Sequence, residues 1–457
     1  MSDVGAELAA IVGAEHVSSG AEVPPDYGHD EALGVPARPP AHLVRPADTA
    51  QVAEILRYAN AAGLPVTARG SGTGLSGAAI PHPGGLVVSF ERMNRVLDID
   101  TANHVAVVQP GVTLAELDEA TAAVGLVYPV FPGENSASLG GNVATNAGGM
   151  RAVKYGVTRH QVLGLEAVLA TGEVLRTGGR FVKTSTGYDL TQLIVGSEGT
   201  LALVTEATLR LYPRVEHQAT VLAPFAALPE VTRAVPEIVA GGIGPMILEY
   251  VDAFTMAAIT ANADLNLGVA DQVRQAASAY LVVVCENRSA ERLDSDVQAL
   301  AEQLTGLGAL DVYVLPAGAA RRLVEAREKA FWVARAAGAD DIVDVVVPRA
   351  AIADFLAAAG RIGAAHDTPV IGCGHAGDGN VHLSVFQKDA DVRYRVLREL
   401  FEAGLAAGGA ISGEHGIGTG KRRYFLELED PAKIQLMRRI KTAFDPNGIL
   451  NPGVLLD

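Results

Sequence analysis

The segment GHAGDGNVHLSV, residues 374–385, sets His375 and His382 seven positions apart in a stretch too rich in glycine to be a helix. The flanking runs PVIGCGH and VHLSVF have strand composition, and AGDGN between them has turn chemistry. Such a connection folds His375 back towards His382. Alternation along the second strand puts His382 and Ser384 on one face and Val381, Leu383 and Val385 on the other. The apolar face suits a core and the polar face suits a cavity. A second glycine-flanked stretch, ISGEHGIGTGKRR at 411–423, supplies Glu414 and His415. Two imidazoles and a carboxylate form a common donor set for a divalent ion, with a position left for substrate. The same groups could also serve only as hydrogen-bonding partners of a substrate, and the residues alone leave both readings open. Further upstream, AARRLVEAREKAFWVARAAG offers Arg321, Arg322, Arg327 and Arg335 to an anionic group. Forked guanidinium recognition suits a carboxylate, but helical spacing does not choose among the four.

These residues need elements to hold them. A helix is predicted at 49–63, a buried strand at LPVTARG, and short strands alternating with short helices to about residue 215, an α+β pattern. Beyond 215, helices are expected at 226–245, 289–307, 317–337 and 349–366. Strands MILEYVD, AYLVVVCENR and IVDVVVP complete a sheet expected to be covered by helices on one side. Three glycine-dense segments occupy the first half: RGSGTGLSGAAIPHPGG (69–85), PGENSASLGGNVATNAGG (132–149) and VGSEGTLALVTEATLRLYP (195–213). The first contains Gly72-x-Gly74-x-x-Gly77, yet Pro81 and Pro83 leave no room for the helix a dinucleotide fingerprint must open. A nest of backbone N–H groups can still hold phosphate. Three such loops together suit an extended dinucleotide approached closely by backbone.

Composition narrows the classes. The chain has 457 residues, with 36 basic against 52 acidic side chains and a formal charge of −16, which disfavours nucleic acid and anionic lipid as partners. Two cysteines, Cys285 and Cys373, can hold neither a disulfide framework nor an iron–sulfur cluster. The first residues lack a signal-peptide pattern, and no apolar run approaches the length of a membrane span. The expectation is a cytoplasmic protein, peripheral at most to the inner face of the membrane.

The three loops, in this order and spacing, resemble the FAD-binding domain of the vanillyl-alcohol oxidase / p-cresol methylhydroxylase (PCMH-type) family. GGNVATNAGG and GEHGIG are its specific signals here. The C-terminal half resembles that family's FAD-linked oxidase α/β cap domain. The nearest subgroup is D-lactate dehydrogenase, D-2-hydroxyglutarate dehydrogenase and the glycolate oxidase FAD subunit. The resemblance implies an N-terminal segment at 1–37, an FAD-binding domain at 38–215 and a substrate and metal domain at 216–457. It implies that Arg69, Gly70, Ser71, Gly72, Thr73, Gly74, Ser76, Gly77, Pro132, Gly140, Gly141, Ala144, Thr145, Asn146, Gly148 and Gly149 wrap FAD. Gly156, Glu198, Gly199 and Asn451 are brought near it. Some relatives attach FAD covalently, but the first loop has no histidine before Pro81 and the second has no histidine or cysteine, so non-covalent FAD is expected. His82 is read as an ordinary loop residue.

The resemblance further implies zinc or a similar divalent ion on His375, His382 and Glu414, and Arg327 as the substrate-binding arginine. Relatives usually carry tryptophan where this chain has Val324. Ser384 stands where hydroxyglutarate-type relatives tend to carry asparagine, and is expected to touch substrate. Ile342 falls near a lysine of diacid-specific relatives. The expected reaction is oxidation of a small D-2-hydroxy acid of the lactate or glycolate type to the 2-oxo acid, with His415 as base. The electron acceptor would be a quinone, a cytochrome, an electron-transfer flavoprotein or an iron–sulfur subunit, and a homodimer is compatible with the reading. Alternatives on the same fold are a transferase resembling alkyl-dihydroxyacetonephosphate synthase and a flavin-binding scaffold subunit.

Overall fold

The computed structural model describes residues 4–456. Its first half carries two sheets. Strands Val17–Ser19, His42–Val44, Leu86–Ser89 and Val66–Arg69 form one, in that spatial order, with parallel pairing among the last three. Strands Val96–Asp100, Val105–Val108, Leu203–Arg210, Val162–Val168 and Val174–Gly178 form an antiparallel second. Helix Thr49–Ala62 forms as expected, capped by Asp48, whose side chain accepts from Gln51 N, and closed by Gly63 in the left-handed region. Its Val52, Ile55 and Leu56 pack on Val66, Leu86 and Val88.

A seven-stranded antiparallel sheet starts at His217. Its order is Tyr313–Leu315, His217–Phe225, Ala279–Asn287, Ile247–Asp252, Val370–His375, Asn380–Val385, Asp341–Val346. Helices Leu228–Ala240, Ala290–Gly306, Ile352–Ala365 and Ala390–Ala406 cover one face, where Val381, Leu383 and Val385 join the core. The one-sided expectation is only half right. Helices Ala253–Asn262 and Ala317–Glu328 cover part of the other face, packing Met256, Ile259 and Leu323 on Leu222, Val251 and Val282.

Four features go beyond or against the expectations. Within the expected N-terminal segment, helix Val4–Val12 buries Leu8 and Val12 in the first core, and Val17–Ser19 is a sheet strand. Near the C-terminus the chain visits the first half: Ile449 and Leu450 pack in the first core and Leu450 bridges to Val66, before Leu455 and Leu456 return to the second core. The helix expected at 317–337 breaks at Lys329, whose ψ of 3° turns the chain before helix Ala330–Ala336. The loop 132–149 contains a short helix, Leu139–Thr145, capped by the Ser138 side chain accepting from Gly141 N. Its glycine pair disguised it. Gly140 serves close packing there, since a Cβ would lie 2.5 Å from Pro110 Cβ.

Candidate functional site

Three neighbouring strands of the large sheet set the site in rows. Their register places His375 beside Asn380 and Asn380 beside Val346; the next rows are Cys373, His382, Asp344 and then Ile371, Ser384, Ile342. The hairpin between the histidines turns through Gly379, at φ 92°, where a Cβ would fall 1.9 Å from Val347 O. Chain direction and pleat thus bring His375 to His382, with ring centroids 4.9 Å apart.

Glu414 joins them from the 411–423 segment. Its Oε1 lies 3.0 Å from His375 Nε2 and 3.2 Å from His382 Nε2. His375 Nδ1 donates to Glu249 Oε1 at 2.6 Å, and the other Glu249 oxygen lies 2.7 Å from Arg327 Nη2. An imidazole with a carboxylate against each nitrogen is either doubly protonated or has a cation between one nitrogen and its carboxylate. The anchoring of one ring nitrogen by a carboxylate is the usual support of a metal-binding histidine. Tetrahedral coordination with bonds of about 2.1 Å separates its donors by roughly 3.4 Å, close to the two distances here. The donor set fits a divalent ion. Burial works to raise the Glu414 carboxyl, but the charges and hydrogen bonds of His375 and His382 outweigh it and hold it far below the usual range.

A second grouping, Asp344, His382 and His415, is also compact, with His382 Nε2 3.4 Å from Asp344 Oδ1, but Asp344 already has its Oδ2 taken up by four donors. Its Oδ2 accepts from Ser412 Oγ at 2.6 Å, His415 N at 2.8 Å, Gly413 N at 3.1 Å and Glu414 N at 3.2 Å. Its Oδ1 accepts from Asn380 Nδ2 at 2.8 Å, and Lys421 Nζ stands 3.5 Å from Oδ2. Asp344 therefore holds the backbone that presents Glu414 and His415. Burial opposes its charge, yet His415, Lys421 and His382 keep its carboxyl well below the usual range. The other side of that backbone is tied to the first half: Glu198, at φ 52°, accepts from Ile417 N at 2.8 Å and Gly418 N at 2.7 Å. Asn451 Nδ2 donates to the carbonyls of Glu198 and Ala78, joining the first and third glycine segments.

Two cavities meet at Glu414 and His415. One lies over the sheet rows and is lined by Arg327, His375, His382 and Ser384 as well as by Glu414 and His415. The other is a cleft among the glycine segments. Gly70, Ser71, Gly72, Thr73, Gly74 and Ser76 line that cleft from the first segment. Pro132, Gly141, Ala144, Thr145 and Gly148 line it from the second, and Glu198, Gly199 and Asn451 from the third and from the C-terminus. Ser76 Oγ and Asn142 Nδ2 are buried on this cleft with no hydrogen-bond partner among the described residues. His415 is the one histidine among its lining residues, which include no cysteine.

Other expected positions stand behind the cleft. Arg69 turns away, donating to His29 O at 2.6 Å and lying over the Tyr27 ring. Gly77 abuts Thr419, Gly140 abuts Pro110, Gly149 abuts Phe131 O and Gly156 abuts His160. Asn146 closes the short helix in the left-handed region, with Oδ1 accepting from Arg159 N. His82 Nδ1 lies 2.9 Å from Pro83 O. Among the four candidate arginines, Arg327 alone lines the sheet cavity, buried, with Nε lacking a partner among the described residues and Nη2 close to Glu249 but poorly aligned. Sequence reasoning missed Glu249 and gave Asp344 no role in the site. The available signal was an acid in the middle of an otherwise apolar strand, in MILEYVD and IVDVVVP, where a lone charge is costly to bury.

Residues 214–455 match the family described as FAD linked oxidases, C-terminal domain, and residues 40–178 match the FAD binding domain family. An uncharacterized FAD-linked oxidoreductase of Mycobacterium tuberculosis is 59% identical over 455 residues, covering 100% of this chain and 99% of that one. The D-lactate dehydrogenase of Anaerostipes hadrus is 37% identical over 459 residues, covering 96% and 94%. The solved structure of p-cresol methylhydroxylase aligns over 99% of this chain and 96% of that one, with TM-score 0.80 and 18% identity, a likeness of fold. The chain belongs to the FAD-linked oxidoreductases, in the group that contains D-lactate dehydrogenase, the glycolate oxidase subunit and D-2-hydroxyglutarate dehydrogenase.

Proposed function

We propose that this enzyme oxidises a D-2-hydroxy acid to the 2-oxo acid, using non-covalently bound FAD and a divalent ion held by His375, His382 and Glu414. The observation that carries the reading is the meeting of two cavities at Glu414 and His415: a glycine-lined cleft on one side, and a chamber with Arg327 and the histidine pair on the other. FAD bound in the cleft supplies the hydride acceptor. A divalent ion held by His375, His382 and Glu414 would supply Lewis acidity towards the substrate hydroxyl.

The chain's own residues do the rest. Arg327 orients the substrate carboxylate with its spare donors, while Glu249 balances its charge and aligns His375. Burial pushes the His415 pKa down to about 4, so the ring is neutral near pH 7 and open to a proton. Its Nδ1 is buried without a hydrogen-bond partner among the described residues, 3.9 Å from Asp344 Oδ2. A proton taken from the hydroxyl would therefore leave an imidazolium facing a carboxylate. Ser384, one row beyond His382, offers a further polar contact.

The test is an anaerobic visible spectrum before and after adding D- and L-2-hydroxy acids. Bleaching of the flavin band by a D-acid, lost on chelation and restored by a divalent metal, is expected. His382→Ala should lose the metal and turnover while retaining flavin. A flavin band that no hydroxy acid bleaches would refute the assignment.

A further inference from the structure

The sheet cavity does not end at the polar cluster. Rows two residues apart on a strand lie roughly 7 Å apart, so the floor from His382 through Ser384 to Phe386 runs for roughly 13 Å. Along that run it changes character. His382 is flanked by Cys373 and Asp344, but Ser384 is flanked by Ile371 and Ile342, and Phe386 follows. Ala258, Phe331 and Ala334 line the same cavity from helices Ala253–Asn262 and Ala330–Ala336. In the opposite direction the row of His375 and Asn380 closes the space with buried polar groups. Among the described residues, three ionic side chains besides histidine line the cavity, Arg327, Glu328 and Glu414, and Arg327 is the one cation of the three.

From this we infer that the substrate is a 2-hydroxy acid with an apolar side chain of several carbons, lying over Ile342, Ile371 and Phe386. The inference rests on the oxidation reading above and specifies its substrate class. Carboxylate and hydroxyl belong at the polar end with Arg327 and His415, which directs the side chain along the floor towards Phe386. A dicarboxylate would carry its second charge among isoleucine and phenylalanine, with no cation to meet it and Glu328 in the same cavity. Glycolate or lactate would leave the apolar floor uncovered. Ile342 and the small side chains Ala258 and Ala334 set the width of this arm.

The experiment is anaerobic flavin reduction by the holoenzyme with glycolate, D-lactate, D-2-hydroxyvalerate, D-2-hydroxyhexanoate, D-2-hydroxyoctanoate and D-2-hydroxyglutarate. The second-order rate constant should rise roughly fourfold per added methylene until the arm is filled, with hydroxyglutarate far below hydroxyhexanoate. Ile342→Lys should reverse that last order; the wild-type series decides the matter if this variant fails to fold. Equal rates across the chain-length series, or hydroxyglutarate as the fastest substrate, would overturn the apolar-arm assignment while leaving the oxidation reading intact. No reduction by any acid would sink both.

Discussion

Replacing Asp344 with asparagine tests whether this carboxylate organises the site. The side chain is fully buried and receives three backbone N–H groups, Ser412 Oγ and Asn380 Nδ2, with Lys421 Nζ at 3.5 Å. Asparagine can keep its carbonyl towards the 412–415 backbone. Its amide then faces the Asn380 amide, donor to donor. Asn380 can flip only by giving up the contact of its Oδ1 with His382 Nε2 at 2.9 Å. Meanwhile buried Lys421 loses its counter-charge. Breaking a buried pair by removing one partner costs roughly 3–5 kcal/mol, two to three and a half decades in the unfolding constant. Urea unfolding at pH 7, followed by the fluorescence of Trp332, the sole tryptophan, should show a loss of this size, with turnover reduced further through Glu414 and His415. The pH dependence has a definite sign. Because the folded-state pKa is depressed, the wild-type advantage is complete above the unfolded value of roughly 4 and is lost as pH falls through the folded value. An unfolding midpoint equal to wild type at pH 7 would show that Asp344 does not hold this segment.

Two further perturbations separate cleft from cavity. Gly148→Ala places a methyl 2.6 Å from Glu414 Oε2 and 3.2 Å from its Cβ; metal content and turnover should fall at a stability cost of roughly 1–3 kcal/mol, and unchanged metal content would contradict the geometry. Glu328→Gln addresses a carboxyl on both cavities that burial raises to about 7. With the folded pKa above the unfolded one, wild-type stability is greatest below about pH 4 and declines as pH rises through about 7. The variant should therefore gain on wild type in thermal melts as pH rises from 5 to 8, and a constant difference across that range would refute the shift.

Much of the site could be read locally. Alternation and turn chemistry put His382 and Ser384 on one strand face and folded His375 back to them, because a period of two and a glycine turn are properties of adjacent residues. Two prolines excluded a helix after the first glycine segment for the same reason. Other features depended on contacts distant in sequence. Glu249 meets His375 across 126 positions, and the contact of Arg327 with the same Glu249, together with burial on the cavity, distinguishes Arg327 from its neighbours on the helix. Glu198 and Ile417 are 219 positions apart, so the fastening of the GEHG segment to the glycine cleft had no local signature. Glycine identity likewise did not say which glycines would line the cleft: Gly141 and Gly148 do, whereas Gly140 and Gly149 make room for Pro110 and Phe131. The sequence by itself determined the donor types and the elements that carry them. Only the tertiary structure decided which donors converge, because convergence depends on sheet register and on buried charges finding partners far along the chain.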